Sequence, residues 1–153
     1  MAQRIIESLG ELKRLVGQEV AVSDYMQMTQ ERIDRFAETT EDRQWIHVDL
    51  ERARAESPYR NTIAHGFLTL SLLSRFIASA IKVQGVRMGI NYGLDRVRFP
   101  AAVPSGSNVR ARFRLLAMED IAGGVQVKWG VSIECEGATK PSCAAEWLLR
   151  WYA

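Results

Sequence analysis

From Val109 to the C-terminus, apolar and polar residues alternate almost one for one. Val109, Ala111, Phe113 and Leu115 interleave with Arg110, Arg112 and Arg114. Val125, Val127, Trp129, Val131, Ile133 and Cys135 interleave with Gln126, Lys128, Ser132 and Glu134, and Cys143, Ala145, Trp147, Leu149 and Trp151 continue the pattern. A period of two predicts antiparallel strands with one face on a core and the other in water. Gly123-Gly124 and Gly137 fall between these runs and mark turns. Val86–Phe99 reads as a further extended segment, closed by Pro100.

Upstream of Gln84 the period is helical, and the chain is organised around residues 36–82. One long helix is expected there, opened by His65-Gly66. Phe67, Leu68, Leu70, Leu72, Leu73, Phe76, Ile77 and Ile81 would surround nearly its whole circumference, and a helix apolar on most sides is a buried one. Ile5, Ile6, Leu9, Leu12 and Leu15 predict a short amphipathic helix or turn ending near Gly17, and Glu19–Met28 a strand. Thr29 is placed to cap a helix over 30–39 with Ile33, Phe36 and Ala37 on one face. Asp49 is placed to cap another that runs to Glu56, which Ser57-Pro58 stops because the residue before proline is pushed out of the α region.

A one-sided apolar sheet and a helix in need of burial answer each other, so the sheet should curl around the helix in an α+β fold. The length, 153 residues, suits one domain spanning 1–153. One sheet cannot cover every side of the helix, so a second copy is expected to cover the rest, giving a homodimer or a larger assembly built from it.

Charge adds little. The net +2 calls for neither nucleic acid nor an anionic membrane. Arginine clusters at Arg96, Arg98, Arg110, Arg112 and Arg114; this is read either as a solvated sheet face or as a source of one or two partners for ligand phosphates. No apolar run nears the roughly 18 residues of a membrane helix. Met1–Leu9 lacks the apolar core of a secretory signal, so the expectation is a cytoplasmic protein. Cys135 and Cys143, which could face each other across a hairpin, should then be buried, reduced thiols.

The only two histidines lie in the organising stretch. Asp42 and His47 could form an acid/base pair, but five positions on a continuous helix turn through about 500°, so they converge only if residues 43–46 break the helix. The alternative is that Asp42 caps a turn and His47 makes a contact at a helix entry. At His65-Gly66, the glycine either simply permits a sharp turn or presents its N–H, at a positive helix end, to an oxygen that gains charge. His47, Asp49 and His65 lack the spacing of a metal site on one element, and no phosphate loop or nucleophile elbow is present. Neither a metal nor a cofactor is expected.

The run Asp42-Arg43-Gln44-Trp45-Ile46-His47-Val48-Asp49, followed by Thr62-Ile63-Ala64-His65-Gly66-Phe67-Leu68, resembles the MaoC-like dehydratases. That family includes the (R)-specific enoyl-CoA hydratases and a NodN-like branch. The resemblance covers nearly the whole chain, and Arg96–Pro100 is similar to the family's strand after the helix. Gln44 and Trp45 stand where many members have Asn and Pro, as in the NodN-like branch.

The resemblance implies a hot dog fold and (R)-specific hydration of trans-2-enoyl-CoA to (3R)-hydroxyacyl-CoA, or the reverse dehydration. Asp42 and His47 would hold the attacking water, and the Gly66 N–H would bind the thioester oxygen. Gln44, His65 and Ser74 would support the site or bind substrate. The partner implied is an acyl-CoA or an acyl carrier protein thioester. Two other readings stay open: a hot dog acyl-CoA thioesterase, disfavoured because residues 65–81 hold no carboxylate, and a non-catalytic acyl-thioester binding module.

Overall fold

The computed structural model describes residues 2–153. In chain order it contains β1 (Arg4–Ile6), α1 (Leu9–Lys13), β2 (Glu19–Val22), β3 (Met26–Gln27), α2 (Gln30–Thr40), α3 (Trp45–Val48) and α4 (Leu50–Glu56). There follow α5 (Gly66–Ser71), α6 (Leu73–Ala80), β4 (Ile81–Val83), β5 (Met88–Arg98), β6 (Asn108–Ile121), β7 (Gly124–Cys135) and β8 (Cys143–Tyr152).

The alternating half folds into long antiparallel strands in the order β2-β6-β7-β8-β5, with β3 also on β6. Its apolar set faces inward: Val109, Phe113, Leu115, Val127, Trp129 and Ile133 are fully buried. Against this face packs the helix, through Leu68, Leu72, Leu73, Phe76, Ile77 and Ala80. The sheet thus wraps a central helix, which is the hot dog arrangement. Gly124 is required in the β6–β7 hairpin, because a Cβ there would lie 2.0 Å from the Trp151 carbonyl oxygen.

The helix differs from expectation in two ways. It is two pieces, α5 and α6, pinched where the Leu72 N–H is shared between the carbonyls of Leu68 and Thr69 at 3.3 and 3.2 Å. Ile81 already belongs to β4. One side of the helix is left uncovered by the sheet, as expected of a single copy: Phe67 is 73% exposed, and Ser71, Ser74 and Ala78 continue that open stripe. The N-terminal region differs too. Ile5 and Ile6 lie in β1, which pairs in parallel with β4, so the helix begins only at Leu9. The Glu19–Met28 segment is two short strands rather than one.

The capping predictions hold. The Thr29 hydroxyl accepts from the Arg32 N–H, and the Asp49 carboxylate from the Arg52 N–H. Ser57 takes an extended conformation and ends α4. Cys135 and Cys143 are buried and free, but they do not face each other: Cys143 pairs with Ile133, two residues short of Cys135. Burial pushes the Cys143 thiol up to about 11. The arginines of β6 face outward, where Arg110 and Arg112 both grip Glu134, and Arg112 also reaches Glu19 at 3.1 Å. For Arg110 and Arg112 these ion pairs fit the solvated-sheet reading.

Candidate active site

Asp42 and His47 meet because α2 ends two residues before the carboxylate. Glu41 adopts a left-handed conformation (φ 62°) at the C-terminus of α2. Residues 41–44 are irregular, and α3 restarts the helix at Trp45. This is the break that the spacing of Asp42 and His47 demanded. The central helix then brings a third group. His65, at the N-cap of α5, stacks on His47 with centroids 3.8 Å apart and planes 22° apart. Asp42, His47 and His65 each place a side-chain donor atom within 4.8 Å of the others. The carboxylate side is exposed and both imidazoles are buried.

Carbonyl groups fix both tautomers, because a carbonyl only accepts. His47 donates its Nδ1–H to the Ile63 carbonyl at 2.7 Å, and His65 donates its Nε2–H to the Asp42 carbonyl at 3.0 Å. Neutral His47 therefore offers an Nε2 lone pair. Burial lowers its pKa from the usual imidazole value, and repulsion from His65 adds to this; the Ile63 hydrogen bond and the Asp42 charge oppose it. At neutral pH His47 is a neutral acceptor beside a carboxylate. The Phe36 ring also packs against His65, with centroids 4.9 Å apart and planes 52° apart. The His65 Nδ1 is buried without a hydrogen-bond partner.

Gly66 opens α5, so its N–H has no carbonyl within the helix to bond. The Phe99 ring lies directly over it: a Cβ at Gly66 would sit 3.0–3.1 Å from three ring carbons. Glycine here serves close approach. The Gln44 side chain caps nothing, while its backbone N–H points to the Asp42 carboxylate at 3.4 Å. Ser74 is not part of the cluster. It lies two turns beyond Gly66, roughly 12 Å along the helix, in a cavity of about 150 Å³ lined by Phe67, Leu70, Ser74, Asn91, Leu94 and Trp147.

Two histidines and a carboxylate are donors a metal would accept, but their arrangement is not that of a metal centre. Stacked rings hold their lone pairs in near-parallel planes instead of converging on one ion.

Sequence reasoning missed two contributors, Gln30 and Thr62. The Thr62 hydroxyl donates to Gln30 Oε1, and Gln30 Nε2 donates to the His47 carbonyl at 2.8 Å. Gln30 sits ahead of the segments that carry chemistry while Thr62 opens the second of them, and only the fold joins the two.

A family model described as MaoC like domain matches residues 11–135, and the chain belongs to that family. It is 48% identical over 151 residues to the 3-hydroxyacyl-thioester dehydratase Z of Mycobacterium tuberculosis, covering 98% of this chain and 99% of the relative. It is 45% identical over 143 residues to the nodulation protein N of Rhizobium leguminosarum bv. viciae, covering 92% and 89%. A solved structure titled as a monoamine oxidase regulatory protein from Archaeoglobus fulgius superposes with a TM-score of 0.76 at 21% identity, covering 100% of this chain and 99% of the other. Among the described residues, no helix is long and apolar enough to cross a membrane.

Proposed function

We propose that the chain adds water reversibly across the C2–C3 double bond of trans-2-enoyl thioesters, giving (3R)-hydroxyacyl thioesters, and dehydrates them in the reverse direction. The observation that carries this reading is the locked His47 tautomer: a buried neutral imidazole with its Nδ1 tied to Ile63, clustered with the Asp42 carboxylate and with His65, the residue that precedes the Gly66 N–H. The 48% identical relative is named for the dehydration direction of the same chemistry.

In this reading Asp42 and His47 are two acceptors for the two protons of one water. The water oxygen bonds to C3 as one acceptor takes a proton. The π pair moves onto the thioester oxygen, where the Gly66 N–H receives the developing charge; such donors are typically worth about 3–4 kcal/mol of barrier. The pair then returns to form the C2–H bond, with the proton supplied from the Asp42–His47 pair. Asp42 is the general base and His47 orients the water and shares the proton, with apparent pKa values that belong to the pair. His65 holds the Asp42 backbone in place. Gln44 positions the loop, and Ser74 lines the acyl slot. The thioester carrier is coenzyme A or an acyl carrier protein, and the setting is the cytoplasm.

A homodimer fits the uncovered surfaces. β5 pairs only with β8, leaving its other edge free; Met88, Ile90 and Tyr92 are exposed along it, and Phe67 is exposed on the helix. A free strand edge with apolar side chains is a template for pairing. Light scattering on the purified protein tests it, with Ile90→Lys expected to yield monomers.

Incubation with crotonyl-CoA and longer trans-2-enoyl-CoAs, with and without a thiol reagent, tests the reaction. Loss of enoyl absorbance without free thiol is the expected result. Free thiol would reassign the protein as a thioesterase, and no change on any thioester would favour a binding module.

A further inference from the structure

We propose that Gln30 is a positioning residue for His47, acting through a hydrogen-bonded bridge between α2 and the Thr62–Ile63 segment. The inference rests on the hydratase reading for its kinetic test, but its geometry stands apart from that reading.

α3 is only four residues long, so its last carbonyls lack helical partners. The His47 carbonyl is one of these, and Gln30 Nε2 satisfies it at 2.8 Å. The second Nε2 hydrogen goes to the Asp34 carboxylate at 2.9 Å. Gln30 Oε1 accepts from the Thr62 hydroxyl at 2.5 Å, and Thr62 is fully buried. The next residue, Ile63, accepts the His47 Nδ1–H through its carbonyl and donates its own N–H to the Ile46 carbonyl at 3.0 Å. His47 is thus held through its ring by Ile63 and through its backbone by Gln30, and both holds run to the same two-residue segment.

The orientation of the Gln30 amide is fully determined. Two obligate acceptors, a carbonyl and a carboxylate, face its nitrogen, so its oxygen must face Thr62, which must donate. Glutamate has the same shape but would set an oxygen against both acceptors. The bridge therefore depends on the hydrogens of Gln30 and not on its volume, which is what separates positioning from packing. A small misplacement of a catalytic group is enough to cost up to about a hundredfold in rate.

The test compares Gln30→Met, Gln30→Glu, Thr62→Val and Thr62→Ser with wild type for kcat, KM and melting temperature. Asp34→Ala is the control, since it removes only the exposed arm of the bridge. A second readout is the ¹⁵N spectrum of the His47 imidazole. Gln30→Met and Thr62→Val are expected to lower kcat about tenfold to hundredfold, with KM within about twofold of wild type. Gln30→Glu should fall furthest, Thr62→Ser should restore the rate, and Asp34→Ala should leave it unchanged. The double variant Gln30→Met/Thr62→Val should be no slower than either single, because both break one bridge. The spectrum should pass from a single Nδ1–H tautomer in wild type to a mixture in Gln30→Met. Folded Gln30→Met or Gln30→Glu with wild-type kcat, an unchanged tautomer, or an Asp34→Ala loss equal to that of Gln30→Met would overturn the proposal. Turnover by the wild type tests the hydratase reading separately, and the tautomer spectrum tests Gln30 whether or not that reading survives.

Discussion

Replacing His47 by asparagine or by glutamine separates its two roles. An asparagine amide nitrogen falls near the position of imidazole Nδ1, so it can still donate to the Ile63 carbonyl, a bond of 2.7 Å in the wild type. A glutamine amide reaches instead toward Nε2 and abandons Ile63. His47→Asn should therefore keep the tether and lose the proton acceptor. His47→Gln should lose the tether, which is worth about 0.5–1.5 kcal/mol of stability, and leave the Ile63 carbonyl buried without a donor. Loss of a positioned acid/base group lowers kcat about 10²–10⁴-fold. At roughly 1.4 kcal/mol per factor of ten, that is about 3–5 kcal/mol of barrier. Both variants should then be slow on enoyl thioesters, and His47→Asn should melt close to wild type while His47→Gln melts lower. Asp42→Asn should match the kinetic loss without the structural one, since its carboxylate is exposed. Wild-type turnover in His47→Asn would refute the assignment of Nε2 to the chemistry and leave His47 as a residue that merely closes a turn.

Three further outcomes follow from particular contacts. Gly66→Ala places a methyl group 3.0–3.1 Å from the Phe99 ring; because Phe99 is 42% exposed it can turn aside, so the fold should survive while activity falls about tenfold or more, and Phe99→Ala in the same chain should restore it if the collision is the cause. Burial lowers the folded-state pKa of His47, so the unfolded chain takes up that proton first. The associated stability is complete above about pH 6.5 and is lost as pH falls from there through the folded value, and melts between pH 7.5 and 5 should fall more steeply for wild type than for His47→Asn. Burial holds the Cys143 thiol up at about 11, so a thiol reagent at pH 8 should label Cys143 only in denaturant, and rapid labelling of the native protein would contradict the packing of β8.

Much of this was legible in the sequence because it is local. Alternation along β6, β7 and β8 gave the strands and their inward faces. The side chains of Thr29 and Asp49 marked helix starts that depend only on neighbouring N–H groups. The need for a break between Asp42 and His47 followed from helical geometry alone. What escaped the sequence depends on distant partners. β1 is a strand only because β4 lies alongside it. Which side of the central helix the sheet leaves open, the stripe from Phe67, was not legible, since apolar residues count alike whether a sheet or nothing faces them. The break itself uses a left-handed glutamate, Glu41, at a position where glycine or asparagine would have been a signal. The stacking of His65 on His47 and the Gln30–Thr62 bridge join residues 18 and 32 positions apart, which no periodicity records.

The most direct test of the central claim is the configuration of the hydration product formed from crotonyl-CoA. An Asp42–His47 pair fixed beside the helix end can deliver water to one face of C3 only. The expected product is the (3R)-hydroxyacyl thioester, identified by its oxidation with an (R)-specific dehydrogenase and its inertness to an (S)-specific one. A (3S) or racemic product would contradict the account.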